Sequence, residues 1–157
     1  MDTYSLLKLV HILSATLLFG TGLGTAFFMW RADCSGNIDA MAVVSRNVVR
    51  ADFWFTTPAV IIQPLTGFGL MHVLGIPFSE PWIVASLLLY MLVGCCWIPV
   101  VFIQMRVARL ARMAADAGQP LGRDARRLMR WWYGLGWPAF ISVVLIFYLM
   151  VVKSVSL

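Results

Sequence analysis

The chain has 157 residues, of which 61% are hydrophobic and 12% are charged, and its formal net charge is +5. A water-soluble domain carries about 25% charged residues, so this composition excludes a soluble monomer and a disordered chain. Anionic lipid headgroups explain the excess of basic residues, and a nucleic-acid partner is not needed.

Four long stretches without a formal charge divide the chain, at residues 9–30, 53–79, 81–105 and 131–152. A membrane-spanning helix needs about 20 apolar residues, whereas the strands of a membrane barrel would alternate polar and apolar residues. The sequence therefore predicts an all-α fold: an integral membrane four-helix bundle that forms a single domain over residues 1–157. The predicted helices lie at about residues 4–30, 40–75, 80–116 and 124–153.

The distribution of arginine predicts how the bundle is oriented. Three of the ten arginines lie between the first two spans and seven lie between the last two, while the segment between the second and third spans has no Lys or Arg. Positively charged loops stay on the cytoplasmic side of a membrane. We therefore expect both termini on the periplasmic side of a bacterial inner (cytoplasmic) membrane.

The first span carries a histidine, His11, within its apolar stretch. An ionised side chain at the centre of a bilayer costs ~2.5–3.5 kcal/mol on insertion scales, so an ionisable group there is a candidate for function. Ser14 and Ala15 continue the face of His11 with small side chains, and Lys8 lies one turn nearer the periplasmic end. The glycines of residues 20–24 also favour close helix contact, including a homodimer or larger membrane complex.

The second span contains two prolines, Pro58 and Pro64, and the other histidine, His72. Each proline removes a backbone donor, which predicts a kinked or locally opened helix. We expect nearby hydroxyl groups and the Gln63 amide to bond to the freed backbone groups. Such a helix either shapes packing or lines a transport pathway. Gly69 precedes His72 by one turn and provides space.

The two histidines suggest a haem b site. Because the first two spans run in opposite directions, His11 and His72 lie about 7–8 Å and about 6 Å below the same membrane boundary. Two neutral imidazoles on facing helices, space for a macrocycle and a cation near its propionates are the features of such a site. In this interpretation His11 and His72 bind the iron. The other cofactor-binding candidates provide space or a propionate partner: Lys8, Ser14, Ala15 and Gly69.

Several functions remain open at this point. A haem protein would transfer electrons or oxidise a membrane or periplasmic substrate, as a haem-dependent oxidoreductase does, and Met71 or Met91 is an alternative iron ligand. The chain could instead be a small permease or an accessory subunit of a membrane complex without a cofactor. A third hypothesis is copper handling through His11 and Met71. A histidine inside a membrane also often only bonds to a neighbouring helix.

Short segments along almost the whole chain carry a family resemblance, at residues 7–14, 19–22, 50–53, 63–67, 81–82 and 97–99. They resemble an uncharacterised bacterial family of four-helix integral membrane proteins, domain-of-unknown-function family 2269. Lys8 and His11 are more distantly similar to the first helix of HemJ-type protoporphyrinogen oxidases and of copper-resistance D-type membrane proteins. Similarity to the HemJ type implies that His11 binds haem b. The third span departs from that pattern because no basic residue interrupts it.

Overall fold

The computed structural model describes residues 2–152, which form five α-helices and one π-helical turn. The helices are α1 (Thr3–Ser35), α2 (Ile38–Ala51), α3 (Thr57–Leu74), α4 (Pro81–Asp116) and α5 (Arg123–Val152). The π-helical turn Asp52–Thr56 connects α2 directly to α3, so Ile38–Leu74 form one span. The predicted end of the last helix, residue 153, lies outside the described residues.

Four helical spans are long and apolar enough to cross a membrane, and residues 2–152 contain no β-strand. The predicted all-α membrane bundle is thereby confirmed. Large apolar side chains cover its outside, such as Trp54, which is 70% exposed, and Leu65, which is 64% exposed. In water this surface would be strongly unfavourable, whereas lipid tails solvate it. The spans therefore contact the lipid bilayer.

Local chemistry determines where several helices begin and end. Gly36 and Gly75 adopt left-handed φ values of 65° and 66° and terminate α1 and α3, as glycine does without steric cost. Asn37 caps α2, because its side-chain oxygen accepts from the backbone amides of Asp39 and Ala40 at 2.9 and 3.1 Å. Pro81 occupies the first position of α4, where its missing amide hydrogen is not needed.

The second span changes its packing partner along its length. Its first half, α2, packs against α4, whereas its second half, α3, packs against α1. Helix α5 packs along α4, and Phe19 of α1 stacks on Phe140 of α5 with ring centroids 5.6 Å apart. The buried core lies beside α2 and consists of Met29, Ala32, Met41, Val48, Val107, Ala111, Met129 and Trp132.

The change of partner occurs at the π-helical turn just before Pro58. The ring of a proline collides with the carbonyl one turn earlier, and the wider π-helical turn moves that backbone away. Both the backbone amide and the hydroxyl of Thr57 donate to the carbonyl of Asp52, the hydroxyl at 2.9 Å. The predicted local opening of the helix at Pro58 is confirmed, but the Thr57 hydroxyl bonds to a carbonyl that the Thr57 amide already occupies and not to one that Pro58 leaves free.

The loops sort into two ends of the bundle. Residues at the α1–α2 and α4–α5 connections line a common cavity at one end together with Arg123, Arg126 and Arg130 of α5, and this end is here called the arginine end. Residues from the start of α1, the α3–α4 connection and the last turns of α5 line a second cavity at the other end, here called the terminal end. The structure thus places the two arginine-bearing loops on one side. Which end faces the cytoplasm stays a prediction.

Candidate functional site

His11 connects α1 to α3 through both of its ring nitrogens. Its Nδ1 lies 2.8 Å from Thr66 Oγ1, and its Nε2 lies 3.1 Å from Gln63 Nε2. The Thr66 hydroxyl donates its own hydrogen to the Ile62 carbonyl at 2.8 Å, so it accepts the hydrogen of Nδ1. Nε2 consequently accepts a hydrogen from the Gln63 amide. This pattern assigns the neutral imidazole with its hydrogen on Nδ1.

Gln63 extends these contacts to a serine of α1. Its Oε1 accepts a hydrogen bond from the hydroxyl of Ser14, which is only 4% exposed. The expectation that the Gln63 amide bonds to backbone groups freed by proline is wrong, since its side chain is directed towards α1. Together His11, Ser14, Gln63 and Thr66 form the His11 network, in which side chains of two helices hold one another in a single arrangement.

Two glycines of α3 allow α1 to approach closely enough for this network. A Cβ at Gly67 would lie 3.4 Å from Cε1 of His11, and one at Gly69 would lie 3.2 Å from Cδ1 of Leu7. Gly67 therefore provides the surface on which the imidazole packs. Gly69 was predicted to provide space for a ligand, but the space next to it is filled by Leu7.

The carbonyl that Pro64 leaves free finds its partner on a third helix. Proline at position 64 cannot donate to the carbonyl of Val60, four residues earlier. The hydroxyl of Tyr90 on α4 donates a hydrogen bond to this oxygen. Because α3 otherwise packs on α1, this bond ties the proline-containing segment to α4 next to the His11 network.

A cavity of about 430 Å³ opens beside the His11 network at the terminal end. Helices α1, α3, α4 and α5 all contribute to its walls. Its lining includes polar groups at few positions, namely Tyr4, Lys8, His11, Thr16, Gln63, Ser86 and Tyr90. The rest is mostly apolar and includes Phe68, Met71, Leu87, Ile146, Phe147 and Met150. An apolar cavity with a few polar groups is typical of a site for a small ligand.

The structure brings some of the predicted site residues together in this cavity. His11, Ala15 and Lys8 line it, and Ser14 supports it through the His11 network. The ammonium group of the exposed Lys8 lies 5.5 Å from the centre of the Tyr4 ring, a cation–π contact. A cation and an aromatic ring from the first turns of α1 thus contribute to the cavity wall.

His72 does not join the His11 network. It is exposed in the last turn of α3, whereas Thr66 and Gly67 of that helix contact His11. At 100° of rotation and 1.5 Å of rise per residue, His72 is turned roughly 120–140° from these contacts and lies ~8–9 Å farther along the axis. A similar depth in the membrane does not bring the two imidazoles together, because this rotation places His72 on another face of α3. The structure does not place both imidazoles in one cavity.

Met71 takes the position on the cavity wall that was expected of His72. It is only 6% exposed, lines the cavity, and lies one helical turn from Gly67. Met91, the other candidate methionine ligand, is 65% exposed and does not line the cavity. Within residues 2–152 no three His, Cys, Asp or Glu side chains come together as a metal site, so a metal in this cavity would rely on imidazole and thioether groups.

The roles of Gln63, Gly67 and Tyr90 were not predicted from the sequence. Gln63 had a visible signal, since it is the only side-chain amide in the uncharged stretch at residues 53–79 and a polar group there needs a partner. Gly67 and Tyr90 had none, because their roles depend on which helices are neighbours.

Comparison with known proteins identifies a family by its sequence. The model of a family described as a predicted integral membrane protein, DUF2269, matches residues 5–154, which confirms the expected resemblance. No curated protein and no solved structure matches the chain. The more distant similarity to HemJ-type and copper-resistance proteins is not supported by these comparisons and stays an expectation drawn from Lys8 and His11.

Proposed function

The chain belongs to the DUF2269 family of predicted integral membrane proteins, and on this premise we propose that it is a bacterial inner-membrane protein that binds haem b beside His11. Its role in this proposal is electron transfer or oxidation of a membrane or periplasmic substrate. The observation that carries the proposal is that an oriented imidazole, His11, and a buried thioether, Met71, line the same largely apolar cavity.

The His11 network holds the imidazole as a metal-binding histidine is usually held. Such histidines donate their other ring hydrogen to an oxygen, which fixes the tautomer and the ring orientation. Thr66 provides that oxygen at 2.8 Å from Nδ1, so Nε2 is the nitrogen available to iron. Nε2 now accepts a hydrogen bond from Gln63 at 3.1 Å. Binding of iron therefore requires the Gln63 amide to rotate away.

Met71 is the second iron ligand in this proposal. A histidine and methionine pair is an established axial ligand set for haem iron, and both side chains line this cavity. Lys8 would pair with a propionate at the cavity wall, while apolar groups such as Phe147 exclude water. When bound, haem supplies one-electron redox chemistry whose potential depends on axial ligands and burial.

The same two side chains support a second candidate function, the binding of Cu(I). Thioether and imidazole groups are suitable ligands for that ion. Because residues 2–152 offer no cluster of three His, Cys, Asp or Glu side chains, copper would have only His11 and Met71 as ligands here. A copper ion would be held by these two ligands alone, whereas haem would also be held by the apolar walls of the cavity. Haem is therefore the first choice.

The two histidines of the chain provide a matched test of haem binding. The full chain is purified in mild detergent from haem-supplemented cells, and visible spectra are recorded before and after reconstitution with haem. We expect a Soret band in the wild type, its loss in His11→Ala and its retention in His72→Ala, because His72 is exposed on another face. Met71→Leu should retain haem but shift the band and the reduction potential.

Two results would overturn the haem proposal. One is a wild-type protein without a Soret band after reconstitution, and the other is a His11→Ala variant that retains an unchanged band. Cu(I) titration distinguishes the second candidate, since copper binding without haem, abolished in His11→Ala, would favour copper handling. Loss of the Soret band in His72→Ala would contradict the assignment of Met71.

A further inference from the structure

The arginine end contains a cavity of about 670 Å³ that is separate from the His11 network. Its walls come from the last residues of α1, the first residues of α2, the connection before α5, and α5 itself. Three arginines line it: Arg123, Arg126 and Arg130. None of these groups takes part in the proposed haem site, which lies at the terminal end.

The three arginines share one face of α5 because their spacing of three and four residues matches the turn of an α-helix. Next to them on the helix, Ala125 and Met129 are buried at 1% and 2% exposure, and this packing fixes the direction in which the arginines project. All three arginines are exposed. They are therefore positioned by a rigid helix and free to meet a ligand.

The arginines of this cavity have no carboxylate partner. The ion pair that residues 2–152 form is Arg112 with Asp116 at 3.1 Å, outside the cavity. Arg126 uses its Nε to donate to the carbonyl of Leu121 at 3.2 Å, which leaves its two terminal nitrogens. Unpaired guanidinium groups gathered around a cavity favour an anionic ligand.

One carboxylate also lines the cavity, and its position limits what can bind. Asp33 accepts a hydrogen bond from the hydroxyl of Tyr133 at 2.8 Å, and both residues belong to the cavity wall. The lining therefore has three guanidinium groups against one carboxylate, an excess of positive charge. This excess favours a ligand that carries an anionic group.

We propose that this cavity binds a phosphate ester, through bidentate hydrogen bonds from the arginines of α5. The planar guanidinium group matches the oxygens of a phosphate group. Basic pockets between membrane helices on the cytoplasmic side are binding sites for anionic lipid headgroups. The cavity also has apolar groups, among them Met41, Leu121 and Met129, which suit the glycerol and acyl parts of a lipid. A soluble phosphate ester shares the same chemistry.

The proposal is tested by comparing two variants that lose the same charge. Arg126→Gln/Arg130→Gln removes two arginines from the cavity, whereas the control Arg106→Gln/Arg109→Gln removes two exposed arginines of α4 that do not line it. The full chain is placed in phosphatidylcholine nanodiscs with increasing phosphatidylglycerol, and bound phosphatidylglycerol is counted by native mass spectrometry. We expect saturable binding in the wild type and the control. In the cavity variant we expect the affinity for phosphatidylglycerol to fall by about tenfold or more.

A second variant should gain affinity for phosphatidylglycerol, a result that misfolding cannot produce. Asp33→Asn removes the negative charge from the lining, and we expect it to bind phosphatidylglycerol more tightly than the wild type, which an unfolded variant would not do. Inorganic phosphate and glycerol phosphate are added as competitors. Competition at millimolar concentrations would identify the source as a soluble phosphate ester, and absence of competition with retained lipid would identify a lipid headgroup.

Equal lipid binding by the cavity variant and its charge-matched control would overturn the proposal, because it would show only general attraction of a basic surface to anionic lipid. Unchanged binding in Asp33→Asn would overturn it as well. Neither result depends on haem, since both measurements are made on protein purified without added haem.

Discussion

The hydrogen bond from Tyr90 to the carbonyl of Val60 gives a test of how the proline-containing helix is stabilised. Tyr90→Phe removes the hydroxyl and keeps the aromatic ring, so the packing of α4 against α3 should be preserved. In the wild type this change leaves the Val60 carbonyl without a donor, because Pro64 has no amide hydrogen. In a Pro64→Ala background the new alanine amide can donate to the same carbonyl.

The expected magnitude follows from these two situations. Hydrogen bonds between membrane helices average ~0.6 kcal/mol and reach ~1.7 kcal/mol, and a buried carbonyl left unpaired costs ~1–3 kcal/mol. We therefore expect Tyr90→Phe to lower the free energy of unfolding by about 1–2 kcal/mol in the wild type. With Pro64→Ala the same change should cost less than about 0.5 kcal/mol, a coupling energy of ~1 kcal/mol.

The assay is a double-mutant cycle in which the four proteins are unfolded reversibly by SDS in mixed micelles and followed by circular dichroism. The free energy of unfolding of each variant is extrapolated to zero SDS. Equal costs of Tyr90→Phe in the two backgrounds would refute the argument, because the hydroxyl would then have a role unrelated to the missing amide of Pro64.

Three further predictions concern stability. Thr66→Val keeps the side-chain size but removes the acceptor of the Nδ1 hydrogen of His11, so the free energy of SDS-induced unfolding should fall by about 1–2 kcal/mol; an unchanged value would contradict the tautomer assignment. Asp52→Ala removes a carboxylate that accepts hydrogen bonds from Thr56 and Gln104, so the free energy of unfolding should fall by about 1–3 kcal/mol. Asp52→Asn should cost less, and the opposite order of the two variants in the SDS titration would contradict this. Gly36→Ala places a Cβ at a φ of 65° and should lower the free energy of thermal unfolding by about 1–2 kcal/mol. Gly134→Ala, with open space around it, should be neutral or stabilising. Equal effects of the two variants would be evidence against a need for glycine at the left-handed position 36.

The sequence was most informative where the bilayer itself imposes the structure. Stretches without charge must form helices, because hydrocarbon offers no partner for backbone groups, and the four spans follow from their lengths alone. The grouping of the arginine-bearing loops at one end follows from the number of spans between them. The opening before Pro58 was predictable as well, since the effect of proline on a helix is local.

The candidate site was less predictable because it depends on rotation and pairing of helices. His11 could be selected from its type and position, but its partners Thr66 and Gln63 are more than 50 residues away. The same limitation explains why His72 was expected beside His11. Its depth in the membrane can be counted from the sequence, but the direction in which it faces depends on how α3 packs. A difference of five or six residues along α3 turns a side chain to a different face.

The π-helical turn Asp52–Thr56 has a consequence for how a ligand could reach the cavity. Before this turn the second span packs on α4, and after it on α1, so α3 and α4 contact each other little beside the cavity that both of them line. Phe68, which lines the cavity, is 41% exposed. We therefore expect the ligands of this cavity to be molecules that partition into lipid and approach it between these two helices. Partitioning into lipid becomes the first selection step, and contact with His11 becomes the second.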